Sequence, residues 1–197
     1  MVRVDEEAFR RGLVSARLYG FMLVPYEPVL VQGAKLSTPS TEDELRNLAA
    51  IALYVIEGME QDVIYILGPG TTTRTIADLL DQKKTLLGVD LMLNKKIIAW
   101  DVNESQILKY ISGRKAKIVV TPIGGQGFIF GRGNQQISPK VIRKVGLKNI
   151  IVIATKQKLS NLRCLHVDTG DELLDKELKG YIRVITDYRE EHLVKVE

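Results

Sequence analysis

The stretch Asp62-Val-Ile-Tyr-Ile-Leu-Gly-Pro-Gly-Thr-Thr-Thr-Arg74 decides the fold. An apolar run from Val63 to Leu67 stops at Gly68-Pro69-Gly70. Three threonines follow, and a helical pattern runs from Thr75 to Leu80. The expected structure is a buried strand, a tight turn and a helix start. Such a junction leaves backbone N–H groups without carbonyl partners, beside the positive end of a helix dipole. Anions, phosphate above all, bind at such places. The stretch is not a Walker loop, because no lysine follows the glycines at the required spacing.

Working outward, apolar and helical patterns alternate. Thr41-Glu-Asp-Glu44 has capping-box spacing, and Leu45, Leu48, Ala49, Ile51, Ala52, Val55 and Ile56 then recur as on one helix face until Gly58. Downstream, Thr85–Val89, Ile97–Trp100, Lys117–Thr121 and Asn149–Ala154 read as strands. Asn103 is an expected helix cap, and Ser138-Pro139 starts another helix with proline at its first position. Asp171–Leu178 is helical with Asp171 as cap, and Tyr181–Asp187 with Leu193–Val196 is the expected closing hairpin around an exposed Arg189–His192 turn. Continuous apolar strands at 63, 118 and 150, each followed by a helical pattern, predict an α/β fold. Its sheet is mostly parallel, with helices on both faces in Rossmann-like layers, and ends in a C-terminal β-hairpin.

The N-terminal part departs from this alternation. Asp5–Gly12 reads as a short helix, Ser15–Val24 and Val29–Gln32 as strands, and Gly33–Ser40 as a loop. The expected organisation is a helix-and-strand segment over 1–40 packed on an α/β ligand-binding domain over 41–197.

Of the 197 residues, 45% are hydrophobic and 26% charged, an ordinary globular balance. The net charge of +4 comes from scattered Lys and Arg. That suits a small anionic ligand better than nucleic acid, which calls for a clustered basic face. One cysteine, Cys164, and two histidines, His166 and His192, exclude an internal disulfide and a multi-thiolate metal site. All three read as structural, as does Trp100, expected in the core. The charged N-terminus is no signal peptide, and no apolar run approaches the ~20 residues of a membrane span. A cytoplasmic protein without nucleic-acid or membrane partners is expected.

In parallel sheets, ligands bind beyond the carboxyl ends of the strands. Three loops leave such ends. In the first, Gly68 and Gly70 allow close backbone approach to an anion, and Thr71, Thr72 and Thr73 add uncharged donors. The second is Thr121-Pro-Ile-Gly-Gly-Gln-Gly-Phe-Ile-Phe-Gly-Arg-Gly-Asn-Gln-Gln-Ile-Ser138. Gly124, Gly125, Gln126 and Gly127 form its tip. Arg132 can fork onto phosphate, and Asn134 and Gln135 can read a nucleoside edge. The third ends at Asp90, a weak catalytic candidate as a base at a strand end. No metal ligand set is visible.

Together these loops resemble a known family. Tyr65–Thr73, Leu86-Leu-Gly-Val-Asp90, Val120–Phe128 and Gly131-Arg-Gly-Asn-Gln-Gln-Ile-Ser138 are similar to the C-terminal portion of ATP–NAD kinase-like proteins, in a divergent branch. The likeness extends to Ser15–Gly20 and Val167-Asp-Thr-Gly170. It implies phosphoryl transfer to NAD, with NAD and ATP as ligands and a divalent metal assisting. In such enzymes a Gly-Gly-Asp-Gly-Thr motif of the N-terminal domain carries the catalytic aspartate. No Gly-Gly-Asp-Gly occurs here, so that role maps to no residue, and a separate chain carrying the other half is the implied partner. A homo-oligomer is also expected. The residues alone leave two alternatives: a stand-alone sugar-phosphate binder or isomerase, and a non-catalytic ligand sensor.

Overall fold

The structure, a computed structural model, describes residues 41–197 and, as backbone alone, an antiparallel strand pair β1 (Val2–Val4) and β2 (Ala16–Leu18). The helix expected over 5–12, the strand over 29–32 and the loop over 33–40 lie outside the described residues. So does most of the strand expected over 15–24, and with them the proposed role of 1–40.

Helix α1 (Glu42–Glu57) begins where Thr41 Oγ1 accepts the Glu44 N–H at 3.2 Å and ends at Gly58. Strand β3 (Ile64–Leu67) runs into the turn Gly68-Pro69-Gly70 and helix α2 (Thr71–Asp78). A hairpin follows, β4 (Asp90–Leu93) and β5 (Lys96–Ala99), then α3 (Glu104–Tyr110) and β6 (Ala116–Val120). The second glycine loop carries β7 (Phe128–Phe130) and leads to α4 (Pro139–Val145). Strand β8 (Ile150–Ile153), α5 (Lys156–Ser160), β9 (His166–Val167) and α6 (Glu172–Leu178) precede the closing hairpin of β10 (Gly180–Asp187) and β11 (Glu190–Val196).

The main sheet has the order β11-β10-β8-β6-β3-β4-β5. Its centre, β10-β8-β6-β3, is parallel, and antiparallel strands flank it on both sides. Alternation along each central strand feeds two apolar layers. Ile64, Ile66, Ile118 and Val120 pack with Ile107 of α3 and with Val141 and Ile142 of α4. Tyr65, Leu67, Val119 and Ile153 pack with Ile51, Ala52 and Val55 of α1 and Ile76 and Ala77 of α2. The α/β class, the parallel centre, the helices on both faces and the terminal hairpin thus agree with the sequence expectation. So do the caps: Asn103 forms a full capping box with Gln106, Ser138 Oγ accepts the Val141 N–H, and Asp171 accepts from Leu173 and Leu174.

Four expectations are corrected. Thr85–Val89 is a loop rather than a strand; the strand begins at Asp90 and runs antiparallel to β3. The chain then reverses into β5 through a two-residue turn at Asn94-Lys95, both with positive φ, which suits the twist of a hairpin. Trp100 is 55% exposed instead of buried; its indole Nε1–H donates to the Lys83 carbonyl at 2.7 Å. Helix α2 begins at Thr71, four residues before the expected start, so all three threonines lie in its first turn. At the closing hairpin, β11 already starts at Glu190, which shortens the expected 189–192 turn.

Candidate functional site

The two glycine loops leave the carboxyl ends of neighbouring parallel strands, β3 and β6, and touch one another. The Gly68 N–H donates to the Val119 carbonyl at 2.9 Å, and Ile137 lies against Gly68. Gly70, at φ +118°, approaches Thr121 so closely that an added Cβ would come within 2.8 Å of the threonine methyl. The Gly70 N–H is taken by the Leu86 carbonyl at 2.9 Å. The two glycines therefore shape the turn, and neither of these two N–H groups is free for a ligand.

The unsatisfied donors lie one step further on. Arg74 N–H is the first in α2 to find a helical acceptor, the Gly70 carbonyl at 3.1 Å. The N–H groups of Thr71, Thr72 and Thr73 have no acceptor among the described residues, and no side chain caps this helix. The threonines divide their work. Thr73 Oγ1 donates to the Gly68 carbonyl at 2.6 Å and lies 3.0 Å from the Gly70 carbonyl, stitching the turn closed. Thr72 is 1% exposed, yet its hydroxyl makes no hydrogen bond among the described residues. Thr71 is exposed.

In the second loop, Gly124, Gly125 and Gln135 are exposed, Gln126 is half-buried and Gly127 buried. Strand β7 pairs in parallel with β9, fixing the loop from below. Gly131 admits no side chain, because a Cβ there would overlap the Asp168 carbonyl. Asn134 is fully buried: its amide donates to the Ile129 carbonyl at 2.9 Å and accepts the Gly131 N–H at 3.1 Å. Its side chain thus holds the loop's shape, and Gln135 is the amide left facing solvent. Arg132 reaches Asp168 with an Nε–Oδ2 distance of 3.2 Å, and its guanidinium stacks 4.4 Å from the centre of the Phe128 ring.

Asp90 stands at the same edge of the sheet, because β4 runs opposite to β3 and pairs it with Leu67. It is fully buried. Its carboxylate accepts the Thr85 N–H and hydroxyl, each at 2.7 Å, and the Asp101 N–H at 2.8 Å. That arrangement pins the 85–89 loop and gives the group a structural task. Beside it the buried Lys84 ammonium donates to the Thr85 carbonyl at 2.9 Å and lies 3.3 Å from that of Gly88. Burial lowers its pKa to about 8 despite the nearby Asp90 and Asp101 charges.

One residue at this edge escaped the sequence reading. Lys158, on α5 beyond the carboxyl end of β8, is half-buried. Its ammonium lies 3.3 Å from both Thr121 Oγ1 and the Pro122 carbonyl. No carboxylate of the described residues comes within 4.0 Å of it. Burial pushes its pKa down, and the more distant Glu44 partly offsets this. The available signal was positional: Thr155-Lys-Gln-Lys158 directly follows an apolar strand. A cavity of about 460 Å³ lies elsewhere, at the opposite edge where β3 and β6 begin, among Arg114, Lys115, Lys117 and Lys144. It shares no residue with the glycine loops.

This strand–turn–helix junction with its companion glycine loop lies within the part of the chain, residues 60–196, that matches the family model described as ATP-NAD kinase C-terminal domain. No curated protein and no solved structure matches the chain. The match covers most of the chain and both loops, and the chain therefore belongs to the ATP-NAD kinase C-terminal domain family.

Proposed function

We propose that this chain is the nucleotide-binding part of a NAD kinase-type phosphotransferase, with NAD and ATP as its ligands. The observation that carries the reading is the row of three amides at Thr71–Thr73 that have no acceptor among the described residues, set at the ligand edge of a parallel sheet. A phosphate group fits there: the N–H groups and helix dipole supply donors, and Thr72 supplies a hydroxyl. Gly124–Gly127, Arg132 and Gln135 form the adjoining wall, where an exposed amide and a guanidinium suit a ribose or nucleobase edge and a second phosphate.

Phosphoryl transfer depends on positioning and charge neutralisation. The residues here do the first through backbone donors. Among the described residues no group of three or more His, Cys, Asp or Glu can hold a metal. A divalent ion at this edge would be carried chiefly by the phosphates of its ligand. Activation of the ribose hydroxyl would come from a Gly-Gly-Asp-Gly-Thr segment, which does not occur in these 197 residues and which we assign to a partner. We place the assembly in the cytoplasm as a homo-oligomer that recruits this partner.

The hydrogen-bonded state of Asp90 favours this reading over an isomerase, which needs a carboxylate free to take a proton. A thermal-shift series with NAD, NADP, ATP and ribose 5-phosphate tests it, because ligands that bind only the folded form raise its melting temperature. Shifts with the nucleotides, and NADP formation once a Gly-Gly-Asp-Gly-Thr partner is added, are expected. A shift with ribose 5-phosphate alone overturns the reading. Nucleotide binding without turnover in the presence of every such partner leaves a ligand sensor.

A further inference from the structure

Among the described residues no carboxylate lies beside the Lys158 ammonium, and Lys158 is tied to the phosphate turn through one residue. Thr121 packs its methyl on Gly70 and lies with its hydroxyl 3.3 Å from the Lys158 ammonium. An ammonium carries three N–H groups. Two have acceptors, Thr121 Oγ1 and the Pro122 carbonyl, and the third has none among the described residues. Withdrawing part of a lysine from water is unfavourable, and with only the more distant Glu44 to offset it, a bound anion would stabilise the ammonium further. The three amides of Thr71–Thr73 supply partial charges only. A full positive charge nearby stabilises a doubly charged phosphate beyond what those partial charges supply.

We propose that Lys158 is the cation of the phosphate site: its third N–H and its charge are completed by the same phosphate group that the Thr71–Thr73 amides hold. This rests on the reading of that turn as the phosphate site. The ligand class is thereby narrowed to phosphates with at least two charges, a terminal phosphate or pyrophosphate rather than a phosphodiester or an uncharged nucleoside.

The test is calorimetric binding of pyrophosphate, ATP and adenosine to the wild-type protein and to Lys158→Met and Lys158→Arg. Loss of a charge-assisted bond is expected to weaken pyrophosphate and ATP roughly 10- to 100-fold in Lys158→Met. Lys158→Arg recovers part of the loss, and adenosine binding is unchanged. The apo form of Lys158→Met melts no lower than the wild type, since a partly desolvated charge offset only by the more distant Glu44 has gone. A lower melting temperature with unchanged pyrophosphate affinity makes Lys158 structural and overturns the proposal while the phosphate site stands. Wild-type protein that binds neither pyrophosphate nor ATP overturns both. In the wild type, NMR of the lysine side-chain Cε groups gives an answer independent of variant folding. Pyrophosphate shifts the Lys158 signal if the proposal holds, and an unmoved signal under saturating pyrophosphate refutes it.

Discussion

Gly70 and Thr121 touch across the gap between two strand ends, the glycine backbone seated on the threonine methyl with no space for a side chain between them. The contact joins the first glycine turn to the root of the second loop. Gly70 stands at φ +118° at the start of α2, a conformation that favours glycine.

Gly70→Ala is accordingly expected to be severe. The alanine would be strained at this φ and would meet the Thr121 methyl at 2.8 Å. Strain and overpacking together cost about 2 to 4 kcal/mol. Chemical denaturation should show that loss, with nucleotide binding abolished at temperatures where the variant is still folded. Gly125→Ala is the control, since a Cβ there meets nothing within 4 Å.

Thr72 and Thr73 are neighbours with opposite expectations. Thr73→Val removes a buried hydroxyl that bonds the Gly68 carbonyl, and leaves that acceptor bare, while the Gly70 carbonyl keeps the Arg74 N–H. About 1 to 3 kcal/mol of stability should be lost. Thr72→Val keeps the shape of a side chain that makes no hydrogen bond among the described residues, so its melting temperature should stay within about a degree or rise slightly. Its affinity for ATP should fall several-fold. If both variants lose stability and neither loses affinity, Thr72 is packing alone.

The architecture was legible because apolar runs such as 63–67 and 118–120 bury both faces, a pattern that leaves few alternatives. The caps were legible for a local reason: Asn103 and Asp171 bond amides two or three residues away. The β4–β5 hairpin was not. Its turn, Asn94-Lys95, lacks the usual glycine, and the Leu86–Val89 run imitates a strand while Asp90 holds it as a loop. The glycine-rich segments were visible as a site, but the roles within them were not. Which donors are free depends on pairings that cross between strands, such as Gly68 to Val119 and Gly70 to Leu86. Lys158 carries no motif, and its meaning comes from its distance to Thr121.

Arg132 is paired with Asp168 in a half-exposed contact, an arrangement that adds about 1 kcal/mol at most to stability. For the guanidinium to receive a second phosphate, it must share or leave that carboxylate. Asp168→Asn should therefore tighten ATP binding a few-fold with little change in melting temperature. Arg132→Ala should weaken it, and the double variant should bind like Arg132→Ala. Equal affinity in all of these would place Arg132 outside the ligand's reach, as a brace between β7 and β9 only.

Lys84 provides a prediction in pH. Its folded-state pKa of about 8 lies below the ordinary 10.5, because burial disfavours the charged form. The unfolded chain therefore binds more protons between these two values. The destabilisation is fully present below about pH 8 and is relieved as pH rises toward 10.5. The slope is at most about 1.4 kcal/mol per pH unit from this group. Other lysines and tyrosines titrate in the same window, so the comparison is with Lys84→Met, which removes the titrating amine while keeping an apolar stem. Denaturation curves at pH 7.5, 9 and 10 (about these values) should show wild-type stability gaining on the variant as pH rises. Parallel curves would mean that Lys84 exchanges with solvent and keeps its ordinary pKa. Asp90→Asn, which weakens the acceptors for Thr85 and Asp101 and removes the charge nearest in effect to Lys84, should lower that folded pKa further and steepen the dependence at its acid end.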